Sequence, residues 1–318
     1  MIKKECFTAE WIEQVSSELH YNDKNLIEKV IRALSLLEML VKAGCPLVFK
    51  GGTALMLILG KSAHRLSIDI DLICPPGTNI EDYLKSFADF GFINLELVER
   101  KQRDDADIPK SHSKFFYQIA YRNDTDAQSY ILLDVLYEDI HYFRTQQIAI
   151  NCPFIRLEGK PLMVTVPSAE DILGDKLTAF APNTTGIPYY RNGRSCSMEI
   201  AKQLYDVGRL FENVSDLQIT KEAFRKIAVV ELSYRSFGTD IGQVFNDIRQ
   251  TALCISTRGK AGEGDFDLIQ DGIIRVKSFM YKQRYLIDHA IIDAARAAYL
   301  ATLIEKGINE IESYSNNP

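Results

Sequence analysis

The chain has 318 residues, 46% of them hydrophobic and 25% charged, with a formal net charge of −6. That is globular composition with length for about two domains, and the negative balance excludes a large basic surface that binds any nucleic acid by charge alone, leaving only a local basic patch open. The longest apolar runs are broken by charges well short of the ~20 residues that span a bilayer, and the opening MIKKECFTAEWIEQ has no apolar signal core, so a cytoplasmic protein with no membrane partner is expected.

Residues 8–19 and 23–43 read as helices, the second with Leu26, Val30, Leu34, Leu37, Leu40 and Val41 at helical spacing and a stop at Gly44 and Pro46. They form an N-terminal segment, 1–45, expected to pack on the domain spanning 46–166. In that domain short runs of β-formers take over (PLVF, DIDLIC, FINLELVE, KFFYQIAYR, SYILLDVLYE, QQIAI, LMVTV), with helices predicted at 53–59 and 81–89. One mixed sheet is expected there. From 167 to 318 the periodicity is helical, including a long stretch from Asp265 to Ile308, so this part reads as an α-helical bundle. The Pro/Gly/Asn-rich segment 181–195 reads as a loop between two of its helices, and SYSNNP as a frayed tail.

The six cysteines are scattered without C-x-x-C, and the five histidines are isolated, so no disulfide framework, zinc site or catalytic triad is indicated. Buried free thiols are the expectation. GKS at 60–62 invites a P-loop reading, but seven residues separate Gly52 from Gly60 where that motif needs four, so Gly60 is read as a helix C-terminus.

In SIDIDLI, alternation puts Ile68, Ile70 and Leu72 on one face of a strand and Asp69 and Asp71 on the other, about 6–7 Å apart. Two like charges that close repel, and a bridging divalent cation removes the repulsion; hard oxygens suit Mg²⁺. The pattern alone is equally met by a solvated edge strand. Upstream, PLVFKGGT reads as strand, tight glycine turn and helix start, where backbone N–H groups can face a phosphate and Thr53 offers a hydroxyl; a plain β–α turn is the alternative.

Asp134, between Leu132 and Leu136 in SYILLDVLYE, is the candidate third carboxylate, since an unpaired charge in an apolar segment is costly; the other reading is a strand-end aspartate bonded to a loop. Three carboxylates beside a phosphate-binding turn are the apparatus of in-line displacement at phosphorus. On the helix predicted from Ala169, Ser168 and Asp171 make a capping box, and Lys176 falls within the stripe of Ile172, Leu173, Leu177 and Phe180 at about 100° per residue. Such a lysine either snorkels out or meets an anion. Lys202 and Asp206 are i, i+4 neighbours, read by spacing as a surface ion pair.

FKGGTAL followed by HRLSIDIDL resembles the glycine-turn and acidic motif of the AbiEii/AbiGii toxin-type nucleotidyltransferases, a branch of the DNA polymerase β-like superfamily; LLDV, ILGDKLTA and KQLYDVGRL are similar to that family's later motifs. The resemblance implies an α+β fold: a polymerase β-like nucleotidyltransferase domain with a mixed sheet, followed by the helical domain. It implies that Gly51, Gly52 and Thr53 hold the triphosphate, that Asp69, Asp71 and Asp134 hold one or two Mg²⁺ ions, and that Asp134 could serve as base. Arg65 and Ser67 match the R-x-S before the acidic pair, Lys176 would contact phosphate, and Lys202 with Asp206 would line the cleft. Arg191 or Arg194 could supply the family's arginine from an unusually long loop.

The implied activity is transfer of a nucleoside monophosphate from an NTP to an acceptor hydroxyl, on a tRNA 3′ end or a protein, by the toxin of a toxin–antitoxin or abortive-infection system with a cognate antitoxin. Two alternatives stay open: a non-catalytic NTP-binding protein of the same fold, and a small-molecule nucleotidyltransferase of the antibiotic-modifying kind, whose acidic pocket RDDADIPKSHS (103–113) would supply. For an RNA acceptor, RVKSFMYKQRY (275–285) interleaves basic and aromatic residues as a base-stacking patch does, though an amphipathic helix has the same pattern.

Overall fold

The computed structural model describes residues 1–97, 110–121, 127–214, 216–235 and 240–311. They divide into two compact units. The first comprises Met1–Ile140, Thr145–Pro167 and Ser278–Arg284; the second comprises His141–Arg144, Ser168–Lys277 and Tyr285–Pro318.

The first unit begins with helices α1 (Ala9–Glu18) and α2 (Lys24–Lys42), capped by Thr8 and Asp23, whose side chains accept from Trp11 and Leu26 N–H. Its strands are β1 (Val48–Lys50), β2 (Ile70–Cys74), β3 (Asn94–Leu97), β4 (Lys110–Gln118), β5 (Gln128–Tyr137), β6 (Thr145–Ala149) and β7 (Met163–Pro167), with α3 (Gly51–Leu59) after β1. The first five form a sheet in the order β1-β2-β5-β4-β3. β2 and β5 are parallel and the other pairs antiparallel, so the sheet is mixed. β6 and β7 form a separate two-stranded ribbon, correcting the expectation of one sheet.

Alternation along the strands makes one face of the sheet core. Ile70, Leu72, Phe115, Tyr117, Ile131, Leu133 and Val135 share one apolar cluster with α2. α2 is buried beyond its apolar stripe, since Glu28, Arg32, Ser35 and Glu38 are also inside. Backbone groups meet these polar side chains: Glu28 accepts from Ala120 N–H, Arg32 donates to the Gly91 and Gln118 carbonyls, and Ser35 donates to that of Phe90. Burial of such a helix is tolerable because most of its polar atoms find partners, Arg32 Nε and Glu38 Oε1 being the exceptions.

The helix expected at 81–89 is two 3₁₀ turns, Ile80–Tyr83 and Phe87–Phe90. Leu84 and Phe87 N–H bond to carbonyls three residues back, which lets Ile80, Leu84 and Phe90 reach the core.

The second unit is helical: α4 (Ala169–Ala179), α5 (Ser197–Phe211), α6 (Leu217–Tyr234), α7 (Ile241–Ser256), α8 (Phe266–Val276) and α9 (Ile287–Lys306), with a short ribbon of β8 (Tyr190–Arg191) and β9 (Arg194–Ser195) in the expected loop. α4 packs on α5 and α6, α5 on α8 and α9, and α7 on α9. The Ser168 hydroxyl accepts from Asp171 N–H at 3.1 Å, but the capping box is only half formed: Ser168 N–H donates to the Arg144 carbonyl, and the Asp171 carboxylate accepts from Phe143 and Arg144 N–H instead.

The stretch from Asp265 is not one helix. After α8 and a 3₁₀ turn, Lys277–Phe279, the chain returns to the first unit: Met280 bridges Arg65, Leu66 N–H donates to the Phe279 carbonyl at 2.8 Å, and Tyr281 N–H donates to that of His64 at 3.0 Å. Tyr281 and Tyr285 are 6% and 2% exposed and Phe279 is half-buried against the core, so the aromatics of 275–285 face inward rather than forming an open base-stacking patch. Long-range pairing has overridden local helical periodicity. Among the described residues no helix is long and apolar enough to cross a membrane. Cys6, Cys45, Cys74 and Cys254 are buried free thiols, while Cys152 and Cys196 are half-buried. The acidic part of 103–113 and the tail from 312 lie outside the described residues; Lys110–Ser113 opens β4.

Candidate active site

The face of the sheet opposite the core gathers the candidate residues. Lys50 on β1 is the register partner of Asp71 on β2, Asp71 of Asp134 on β5, and Asp134 of His112 on β4. Register partners on adjacent strands point to the same side at about 4.8 Å spacing. Four side chains, Lys50, Asp71, Asp134 and His112, therefore stand in one row across four strands. Asp69 precedes β2 by one residue and is half-buried like Asp71.

The glycine turn is built against this row. α3 begins directly after β1, and Lys50, at its capping position, makes no side-chain bond to the first helical N–H groups. Gly51 has φ +79°, and a Cβ there would come 2.0 Å from Asp71 Oδ2. A Cβ on Gly52 would come 2.7 Å from Ser67 Oγ and 3.0 Å from Arg65 Nη2. Both positions need glycine because polar side chains already occupy the space. Arg65 is 7% exposed, not part of an exposed loop, and its Nη1 donates to the Leu66 carbonyl at 3.0 Å.

Thr53 is fully buried, and its hydroxyl donates to the Asp69 carbonyl at 2.7 Å. Its side chain thus ties the helix start to the acidic segment, and its hydroxyl proton is already committed.

Asp134 is in hydrogen-bond contact with His112 Nδ1. The histidines were expected to be isolated, and pairing β4 with β5 brings this one to a carboxylate 22 positions away. Lys29 on α2 is a further cation that local pattern does not reveal. Burial lowers its pKa, while the charges of Asp69 and Asp23 oppose that shift.

Among the described residues no three His, Cys, Asp or Glu side chains form a ready metal cage. The donor set nevertheless fits magnesium. That ion is commonly held by one or two carboxylates together with substrate phosphates rather than by an all-protein cage. Asp71 and Asp134 would offer two hard oxygens in register, with the α3 N-terminus adjoining Asp71.

In the second unit, Lys176 is 7% exposed and ion-pairs with Asp206 at 3.1 Å while donating to Gln203 Oε1 at 2.9 Å. Of the two courses open to a lysine in an apolar stripe, it meets an anion. Asp206 is 2% exposed, so it is not half of a surface pair, because Lys176 compensates its buried charge. Lys202 is half-buried, and Arg191 and Arg194 are exposed on the β8–β9 ribbon.

Among solved structures the chain is similar to MenT4, a nucleotidyltransferase toxin from Mycobacterium tuberculosis H37Rv, with 15% identity and a TM-score of 0.48 over 92% of this chain and 89% of that one. It is also similar to JHP933 from Helicobacter pylori, with 15% identity and a TM-score of 0.44 over 97% and 95% of the two chains. No curated protein sequence matches. The family model described as nucleotidyl transferase AbiEii toxin, type IV toxin–antitoxin system, matches residues 34–289, from within α2 to the start of α9. The chain, an α+β protein with a mixed sheet, therefore belongs to the AbiEii family of nucleotidyltransferase toxins.

Proposed function

We propose that the protein transfers a nucleoside monophosphate from an NTP to an acceptor hydroxyl, as the toxin of a pair with a cognate antitoxin. The observation that carries this reading is the register of Asp71 with Asp134 beside a diglycine turn whose first glycine Asp71 itself requires. A solvated edge strand gives no reason for this arrangement: β2 lies between β1 and β5, inside the sheet.

In this reading the N–H groups opening α3 bind the triphosphate, and Arg65 and Ser67 line the same turn. Asp71 and Asp134, with Asp69, would hold Mg²⁺, which when bound supplies neutralisation of charge on the phosphates. The acceptor oxygen attacks the α-phosphorus in line, the bond to the β-phosphate oxygen breaks, and pyrophosphate leaves with that bond's electron pair. Asp134 takes the hydroxyl proton. For the second unit the family resemblance assigns phosphate contact to Lys176, and Lys202 and Asp206 share its region of α4 and α5. The effect of Lys176→Met on NTP affinity tests that assignment.

The test is incubation of the protein with each α-labelled NTP, Mg²⁺ and either total RNA or cell protein, against Asp71→Asn. Label in RNA identifies an RNA end such as a tRNA 3′ terminus as acceptor, and label in protein identifies a side-chain hydroxyl. NTP binding with no transfer to either fraction would sink the reading of an RNA or protein acceptor, and absence of transfer to small hydroxyl acceptors as well would sink the enzymatic one.

A further inference from the structure

We propose that His112 is a positioning residue: it holds the carboxylate of Asp134 in the orientation that serves the divalent ion. The proposal rests on the nucleotidyl-transfer reading above.

Asp134 needs such a device. Its side chain is 36% exposed, and rotation of a carboxylate about its terminal torsion is broad. Its β2 neighbour, Asp71, is another carboxylate in direct register, which repels it and does nothing to orient it. Its β4 neighbour is His112, 9% exposed, with Nδ1 on Oδ1 of Asp134. The imidazole is rigid because it is buried, and β4 and β5 stay in register for nine pairs, from Lys110↔Leu136 to Gln118↔Gln128.

The two oxygens of a carboxylate lie on opposite sides of its carbon. Binding Oδ1 from the β4 side turns Oδ2 toward β2, where Asp71 stands. His112 thereby leaves Oδ2 of Asp134, with its two lone pairs, for the ion and the acceptor's proton, and takes Oδ1 out of that competition. The far nitrogen, Nε2, is buried without a hydrogen-bond partner. The protein keeps an imidazole here at the cost of an orphaned atom, which a purely space-filling role does not require.

The experiment uses the full-length protein with Mn²⁺ as probe, its free concentration read by electron paramagnetic resonance in the presence of a non-hydrolysable NTP analogue. His112→Asn places an amide N–H near the position of Nδ1, whereas the amide of His112→Gln lies near that of Nε2. The expected result is that His112→Gln and His112→Ala weaken Mn²⁺ binding about tenfold, the usual scale for losing a partner of a metal ligand. His112→Asn should restore it to within about threefold, with analogue affinity in EDTA unchanged in all three. If His112→Ala does not fold, the Asn and Gln pair decides alone. Equal Mn²⁺ affinity in Asn and Gln variants overturns the role of His112. A wild-type protein that binds no Mn²⁺, or an Asp134→Asn variant that binds it as wild type does, overturns the nucleotidyl-transfer reading and this proposal with it.

Discussion

The carboxylate of Asp71 occupies the space in which a side chain on residue 51 would begin: a Cβ there would lie 2.0 Å from Asp71 Oδ2. Gly51→Ala must therefore displace the carboxylate and also force an L-residue to φ +79°, which costs about 1–2 kcal/mol by itself. The expected outcome is a folded but less stable protein whose nucleotide transfer falls to the level of Asp71→Asn, checked by chemical denaturation and α-labelled NTP transfer. Full activity in Gly51→Ala would remove the structural link between turn and acid.

Asp134→Asn separates function from stability. The amide oxygen still accepts from His112, while the repulsion between two carboxylates in register disappears. Without metal the variant should melt at or above wild type, by about 0.2–1 kcal/mol, whereas transfer should drop at least about a hundredfold. Calorimetry in EDTA beside a transfer assay makes the comparison.

Lys176 and Asp206 are a buried ion pair, so removing one partner takes the counter-charge at 3.1 Å from the other. Lys176→Met should cost about 3–5 kcal/mol in urea unfolding, and the double variant Lys176→Met, Asp206→Leu should recover much of that loss. A single variant as stable as wild type would mean that Asp206 is satisfied by its remaining neighbours.

Glu38 gives a pH signature. It is 1% exposed, Oε2 accepts from Ile2 N–H at 2.9 Å, and Oε1 is buried without a partner. Burial raises its pKa, opposed by the Ile2 N–H, the N-terminal ammonium and Lys42. A raised folded-state value means the native protein binds this proton more tightly than the unfolded chain. Stability is therefore lost as pH climbs from the ordinary glutamate value through the raised one. Glu38→Gln cannot ionise. Its melting temperature should exceed that of wild type at pH 8, with the gap narrowing toward pH 5. A gap that widens on acidification would reverse the assignment.

Much of the architecture was present in local pattern. The 3.6-residue stripes of α2 and α4, the period-2 alternation of β2 and β5, and the capping chemistry of Ser168 are short-range consequences of side-chain geometry. The motif FKGGTAL…SIDIDL placed glycine turn and acidic pair in one stretch of chain, so their adjacency was available from sequence. Alternation alone put Asp69 and Asp71 on the face away from Ile70 and Leu72.

Tertiary structure decided what strand order and register decide. Asp134 faces Asp71 because β5 pairs in parallel with β2, and His112 reaches Asp134 because β4 pairs on the other side. Residues 278–284 leave a helical pattern to clamp His64–Leu66 because buried pairing there outweighs helix propensity. Asp206 lies buried beside Lys176, which stands on a different helix and supplies a counter-charge. Such contacts join residues tens to hundreds of positions apart, and local periodicity carries no information about which strands or helices will meet.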